Sequence, residues 1–259
     1  MLDAFRPNKS ISSNVFTLII IVQTAIILIV WSFGSAYMVP SPIEIGRAWL
    51  SLVENQGLLY EFGVSIKTNL EAIAISSILS IGLSYLTVLP VMRPIIGALS
   101  KSRFFGLTGF VIVFTMIFGG GHGLKVALLV FGMSVFFITS MASVVANIPK
   151  EDFDHARSLR MSPWRSVWEV VILGKADEAF EVLRQNAAMG WVMLTMVEGL
   201  VRSEGGVGTL MLNEGKHFHL DAVFAINISI LIIGTIQDQL IGVVKNIFCP
   251  YSNLTLERK

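Results

Sequence analysis

The chain has 259 residues, with 19 Lys and Arg against 18 Asp and Glu, so its net charge is only +1. That balance argues against a general nucleic-acid binder, which carries a clear basic excess. Charged residues make up 14% and hydrophobic residues 54%, with a mean hydropathy of +0.72, which excludes a soluble fold and marks an integral membrane protein. The single cysteine, Cys249, excludes an internal disulfide framework and a Cys-based zinc cluster.

A helix needs about 20 mostly apolar residues to cross the hydrocarbon core, and six segments are candidates. Val15–Phe33 is the cleanest and reads as an anchored first helix, too long for a signal-peptide core. An external segment over 34–69 follows, in which Pro40-Ser41-Pro42 starts an amphipathic interfacial helix. The next spans are expected at Leu70–Met92, Phe104–Phe118, Leu124–Ile148, Asn186–Val201 and Ala222–Val244. Gly119-Gly120-Gly121 makes the turn after the third, and Thr139, Ser143 and Ala146 offer the fourth a small-residue packing stripe. The runs are continuously apolar rather than alternating, which disfavours a β-barrel.

With the N-terminus inside, six spans place 14 of the 19 basic residues on the cytoplasmic side and 5 outside, Lys125 among the latter. This fits the positive-inside rule and puts both termini inside. The expected divisions are 1–69 (tail, first span, external segment), 70–248 (core, with a cytoplasmic segment at 149–183) and a 249–259 tail.

The segment 149–183 is too patterned for a plain connector. Glu151 and Asp152 favour a helix start, Phe153, Ala156 and Leu159 recur at helical spacing, and Ser162-Pro163 caps a second helix bearing Trp164 and Trp168. The result is a helical knuckle with a bend at 160–162. Two readings remain open from periodicity alone: a coupling element that docks in a groove of another protein, or a loop packed on its own helices.

Glu214-Gly215-Lys216 is followed by His217, so there is no phosphate-binding loop, and nothing resembles a catalytic dyad or triad. His217 and His219 with Glu214 and Asp221 read as a solvated loop in preference to a metal site. Glu198 and Arg202 are spaced for a local pair, weighed above a substrate role for Glu198. The middle of every proposed span lacks Asp, Glu, Lys, Arg and His.

Asp154-His155-Ala156, with Leu159, Ser162, Trp164 and Val170-Val171-Ile172-Leu173, resembles the cytoplasmic Glu-Ala-Ala signature of permease subunits of binding-protein-dependent ABC importers. Pro40-Ser41-Pro42, Ile81-Gly82-Leu83, Phe118-Gly119 and Gly205-Gly206-Val207-Gly208 are similar to elements of the nitrate/sulfonate/taurine branch, as are Arg184, Trp191 and Glu198, each seven apart. The departures are Asp154 and His155 in place of the signature's first two residues, Arg160 where it has glycine, Leu173-Gly174 where it has Leu-Pro, and missing prolines near Asp177 and Glu178 and around Phe104 to Phe110.

The resemblance implies an all-α polytopic membrane protein with about six transmembrane helices and a type I importer-like membrane domain, in a bacterial inner membrane. It implies a pathway built by two such subunits, a homodimer in the simplest case, and a periplasmic or lipid-anchored binding protein that delivers a small solute. Phe153, Asp154, His155, Ala156, Leu159, Arg160, Ser162 and Trp164 would contact an ATPase subunit, which would hold the ATP and Mg, this chain being no enzyme and carrying no cofactor. Trp191, Thr195 and Glu198 would line the pathway or gate. The rivals are a gradient-driven carrier or channel, which commonly places ionisable groups near the midplane, and a non-transporting scaffold derived from a permease.

Overall fold

A computed structural model describes residues 12–33 and 39–250. The expected cytoplasmic tails, before residue 12 and after 250, lie outside the described residues. All regular structure among the described residues is helical.

Helix α1 (Ser13–Phe33) is apolar on every side, and none of its apolar span is buried within the chain. Trp31 ties its end to the next element by donating from Nε1 to the Pro40 carbonyl at 3.1 Å. Helix α2 (Pro42–Asn55) starts where the Ser-Pro signal predicts. Ser41 and Glu44 form a reciprocal capping box, whose hydrogen bonds hold the exposed Glu44 carboxyl below its ordinary range. Ile45 and Leu52 are buried and Ile43 and Leu50 exposed, the division an amphipathic helix requires.

Helix α3 (Leu58–Tyr85) begins twelve residues before the expected span, so the helix runs straight through the anticipated 69/70 boundary. Its buried stripe Ser65, Asn69, Ala72, Ser76, Ser80 and Ser84 lets it lie close along α6 (His122–Ala146), where Ser80 Oγ donates to the Ser134 carbonyl at 3.3 Å. The small-residue stripe is therefore on α3, whereas Ser143 and Ala146 of the expected stripe are exposed.

The expected third span is shorter and broken. A helical stretch over Arg93–Phe104, containing α4 (Arg93–Lys101), meets α5 (Leu107–Phe118) at 112°. At about 1.5 Å per residue α5 measures about 18 Å, too short to cross a core of about 30 Å.

After α6 come α7 (Lys150–Ser158) and α8 (Pro163–Ser166), the latter continuing as a π-helix over Val167–Leu173. Then α9 (Ala176–Leu200), α10 (Val207–Lys216) and α11 (Leu220–Phe248) complete the chain. The core joins Leu124, Leu128 and Met133 of α6 to Trp191, Leu194 and Val197 of α9. A second cluster packs α2 on α3 and α11 through Leu52, Phe62 and Ile226.

Among the described residues four helices are long and apolar enough to cross a bilayer: α1, α3 with its short extension to Val88, α6 and α11. The bent pair would make a fifth. Helix α9 starts ten residues before the expected Asn186 and is long enough, but Asp177, Glu178, Glu181, Arg184 and Glu198 keep it from the same apolarity.

Candidate functional site

Two regions at opposite ends of the bundle carry the polar chemistry. At one end α7, the turn after it and α8 form the predicted knuckle between α6 and α9. Ser162 caps α8 as expected, its Oγ accepting from the Arg165 amide at 3.4 Å.

The bend is a Schellman turn: Arg160 N–H donates to the Arg157 carbonyl at 2.9 Å and Met161 N–H to the Ala156 carbonyl at 3.2 Å. This geometry puts Arg160 in the left-handed region, φ 55, where glycine is the ordinary occupant. Arg160→Gly is expected to raise stability by about 0.5–1 kcal/mol, since relief of the strain outweighs the added freedom of the unfolded chain. Thermal unfolding of the purified protein in detergent checks this, and a fall in the midpoint would contradict it.

The knuckle does not present the face that periodicity proposed. Ala156 is buried, and Phe153 is half-buried in a cleft with Ile96, Ala142 and Ile148. Asp154 and His155 are exposed, with Asp154 paired to Arg157 at 3.0 Å. The outward apolar groups are Leu159, Trp164 and Trp168, 58%, 69% and 55% exposed, flanked by the exposed Arg160 and Arg165. Ser166 and Val171 anchor the second half from beneath. Ala156 is thus buried on α7, which packs against α8 and the π-helix that follows, while the two tryptophans are exposed.

Next to the knuckle, Arg184 of α9 grips Asp238 of α11 with two hydrogen bonds, Nε to Oδ1 at 2.5 Å and Nη2 to Oδ2 at 2.6 Å. Lys245 lies 3.3 Å from Glu181 in the same seam. Further along, Gln237 Oε1 accepts from Trp191 Nε1 at 3.1 Å and from Asn69 Nδ2 at 3.2 Å. Trp191 is therefore buried in a three-helix polar junction.

At the far end the loop 201–206 folds over a buried ionic cluster. Glu198 is fully buried, and its carboxylate accepts from Ser65 Oγ at 2.7 Å and from the Gly208 amide at 2.8 Å. The Gly206 amide donates to Glu61, and the Val207 amide to Ser65 Oγ at 2.9 Å. Lys125, also fully buried, donates from Nζ to the Gly205 carbonyl at 2.6 Å, in the field of Glu198, Glu204 and Glu61.

Glycine is required here. Gly205 and Gly206 have φ of 72 and 108, and a Cβ on Gly206 would fall within the Glu198 carboxylate. Gly208 packs on the backbone of Thr195, whose hydroxyl donates to the Val192 carbonyl. The expected Glu198–Arg202 pair does not form: Glu198 turns inward to Ser65, and Arg202 Nε donates to the Gly199 carbonyl.

Hydropathy places Glu61 and Ser65 in the external segment 34–69 and Lys125 at the outer end of the Leu124–Ile148 span, although Glu61 and Ser65 lie four apart on one helical face. Beside the cluster, His122 bridges two carboxylates, 2.5 Å from Glu71 and 3.3 Å from Glu204. His219 contacts Glu214 at 2.7 Å and His217 the Asn213 carbonyl at 2.8 Å. Among the described residues no group of three or more His, Cys, Asp or Glu is placed to hold a metal ion.

One end of the bundle thus carries an exposed aromatic and basic surface, and the other a buried ionic cluster. No protein-family model matches this chain, and no curated protein does.

Proposed function

We propose that the chain is a membrane-spanning permease subunit of an ATP-driven importer, its knuckle seated on a separate ATPase subunit. The carrying observation is the outward patch of Leu159, Trp164 and Trp168 on a segment outside every apolar span. Two exposed tryptophans rimmed by arginines are the composition of a protein-binding hot spot, not of a solvated connector. The knuckle is also mechanically tied to the bundle, because it leads directly into α9, which Arg184 links to α11. A push on the knuckle is thereby transmitted to two membrane helices.

In this arrangement the bent α4–α5 pair counts as the third span and α9 as the fifth, giving six spans with both ends inside, in a bacterial inner membrane. Two copies form the pathway, a binding protein delivers a small solute, and the partner holds ATP and Mg. A gradient-driven carrier would draw support from the buried Lys125 and Glu198. Both, however, are already engaged by groups of the chain itself near the ends of their helices, so the importer is preferred.

The test is ATP hydrolysis by the complex that co-purifies with the tagged chain from its native membranes. Trp164→Arg is expected to lower the co-purifying activity by about 30-fold, the effect of losing a hot-spot tryptophan of about 2 kcal/mol. Lys216→Ala, at the far end, should leave it unchanged. Undiminished activity in Trp164→Arg would overturn the assignment.

A further inference from the structure

Between α3, α5 and α6 runs an apolar cleft of about 620 Å³. Its floor is Ala127, Val130 and Ser134 of α6, and its walls include Ile75 and Leu79 of α3 and Phe114 of α5. Glu71 and His122 stand at its mouth, and Leu99 and Ile138 close the other end. Below the mouth both long helices are free of charge: α3 has none after Glu71 and α6 none after Lys125. The cleft therefore begins where the charges stop, the profile of a groove that starts at a bilayer interface and continues into hydrocarbon.

Size selects the occupant. From Glu71 to Leu83 the α3 wall is about 18 Å long at 1.5 Å per residue, comparable with one leaflet of about 15 Å. A helix about 10 Å across would need about 1,400 Å³ over that length, more than all the empty space of about 1,250 Å³ in the cleft and at its open side. At about 30 Å³ per water-sized group, one fatty-acyl chain of about 18 carbons takes about 540 Å³ and fits within that space.

The mouth selects the headgroup. Lys67 lies one turn above Glu71, 4.0 Å from it and 72% exposed, and Glu204 stands on the other side of His122. One exposed ammonium beside two carboxylates suits a headgroup with a phosphate and a primary amine, and repels one that is only anionic. We propose that this cleft is a specific site for one acyl chain of a zwitterionic, amine-bearing phospholipid, with the phosphate at Lys67 and the amine at Glu71. The site requires only that the chain is embedded in a membrane and is independent of the importer assignment.

The experiment is native mass spectrometry of the full chain released from nanodiscs of equimolar dioleoyl-phosphatidylethanolamine and dioleoyl-phosphatidylglycerol. The wild type is expected to retain one lipid per chain, with up to about five-fold preference for the ethanolamine lipid, the range an exposed ion pair supports. Glu71→Gln should keep a lipid and lose the preference. Ala127→Trp, which fills the floor, should lose the lipid, and if it does not fold, Ala127→Leu should reduce retention in its place. Retention of no lipid by the wild type, equal retention of the two lipids, or undiminished retention by the folded cleft-filling variant would each overturn the proposal. So would a second copy of the chain covering the cleft in place of lipid.

Discussion

Lys125→Met is expected to destabilise the protein by about 3 kcal/mol, since it removes a buried cation that faces Glu198, Glu61 and Glu204. Methionine keeps the volume, so the loss is electrostatic: the Gly205 carbonyl loses its donor and Glu198 stays buried with less compensation. For a chain of this size the midpoint of thermal unfolding in detergent should fall by about 6–12 °C. Lys67→Met, on an exposed side chain, should stay within about 0.5 kcal/mol. Adding Glu198→Gln to Lys125→Met should recover part of the loss, because the pair is then neutral together. A Lys125→Met protein as stable as wild type would show that the cluster does not hold the far end.

Gly206→Val is expected to be more severe still. A β-branched residue at φ 108 is strained wherever it sits, and here its Cβ lands in the Glu198 carboxylate, which must swing away from Ser65 and Gly208. The cost is at least about 3 kcal/mol from strain and orphaned buried groups together. The variant should fail to accumulate in membranes, whereas Gly120→Ala, which meets open space, should accumulate normally. Quantitative immunoblotting of isolated membranes separates the two, and equal accumulation would contradict the account of the loop.

What was legible in the sequence is what local chemistry decides. The helix start at Ser41-Pro42, the Ser162 cap, the two-helix knuckle and its bend all rest on residues within four positions of one another. Hydropathy averages around a helix, however, and so hides a helix with one polar, protein-facing side. Glu61, Ser65 and Asn69 made the first half of α3 look extramembranous, and the charges of its first turns concealed the start of α9. The Glu198–Arg202 pair failed for a related reason. Ser65, the partner that prevails, lies 133 residues away in sequence, a contact only the fold creates. Ala156, buried, and Leu159, exposed, show that helical spacing marks an apolar face without saying which of its residues are covered.

Its exposure makes Trp164 the decisive position. A photo-crosslinking amino acid placed there in the tagged chain, in native membranes, should join it to a polypeptide carrying the Gly-x-x-x-x-Gly-Lys-Ser/Thr phosphate-binding sequence. The yield should change when ATP is added. Crosslinks confined to lipid or to the chain itself, with no such polypeptide among the products, would contradict the coupling role of the knuckle.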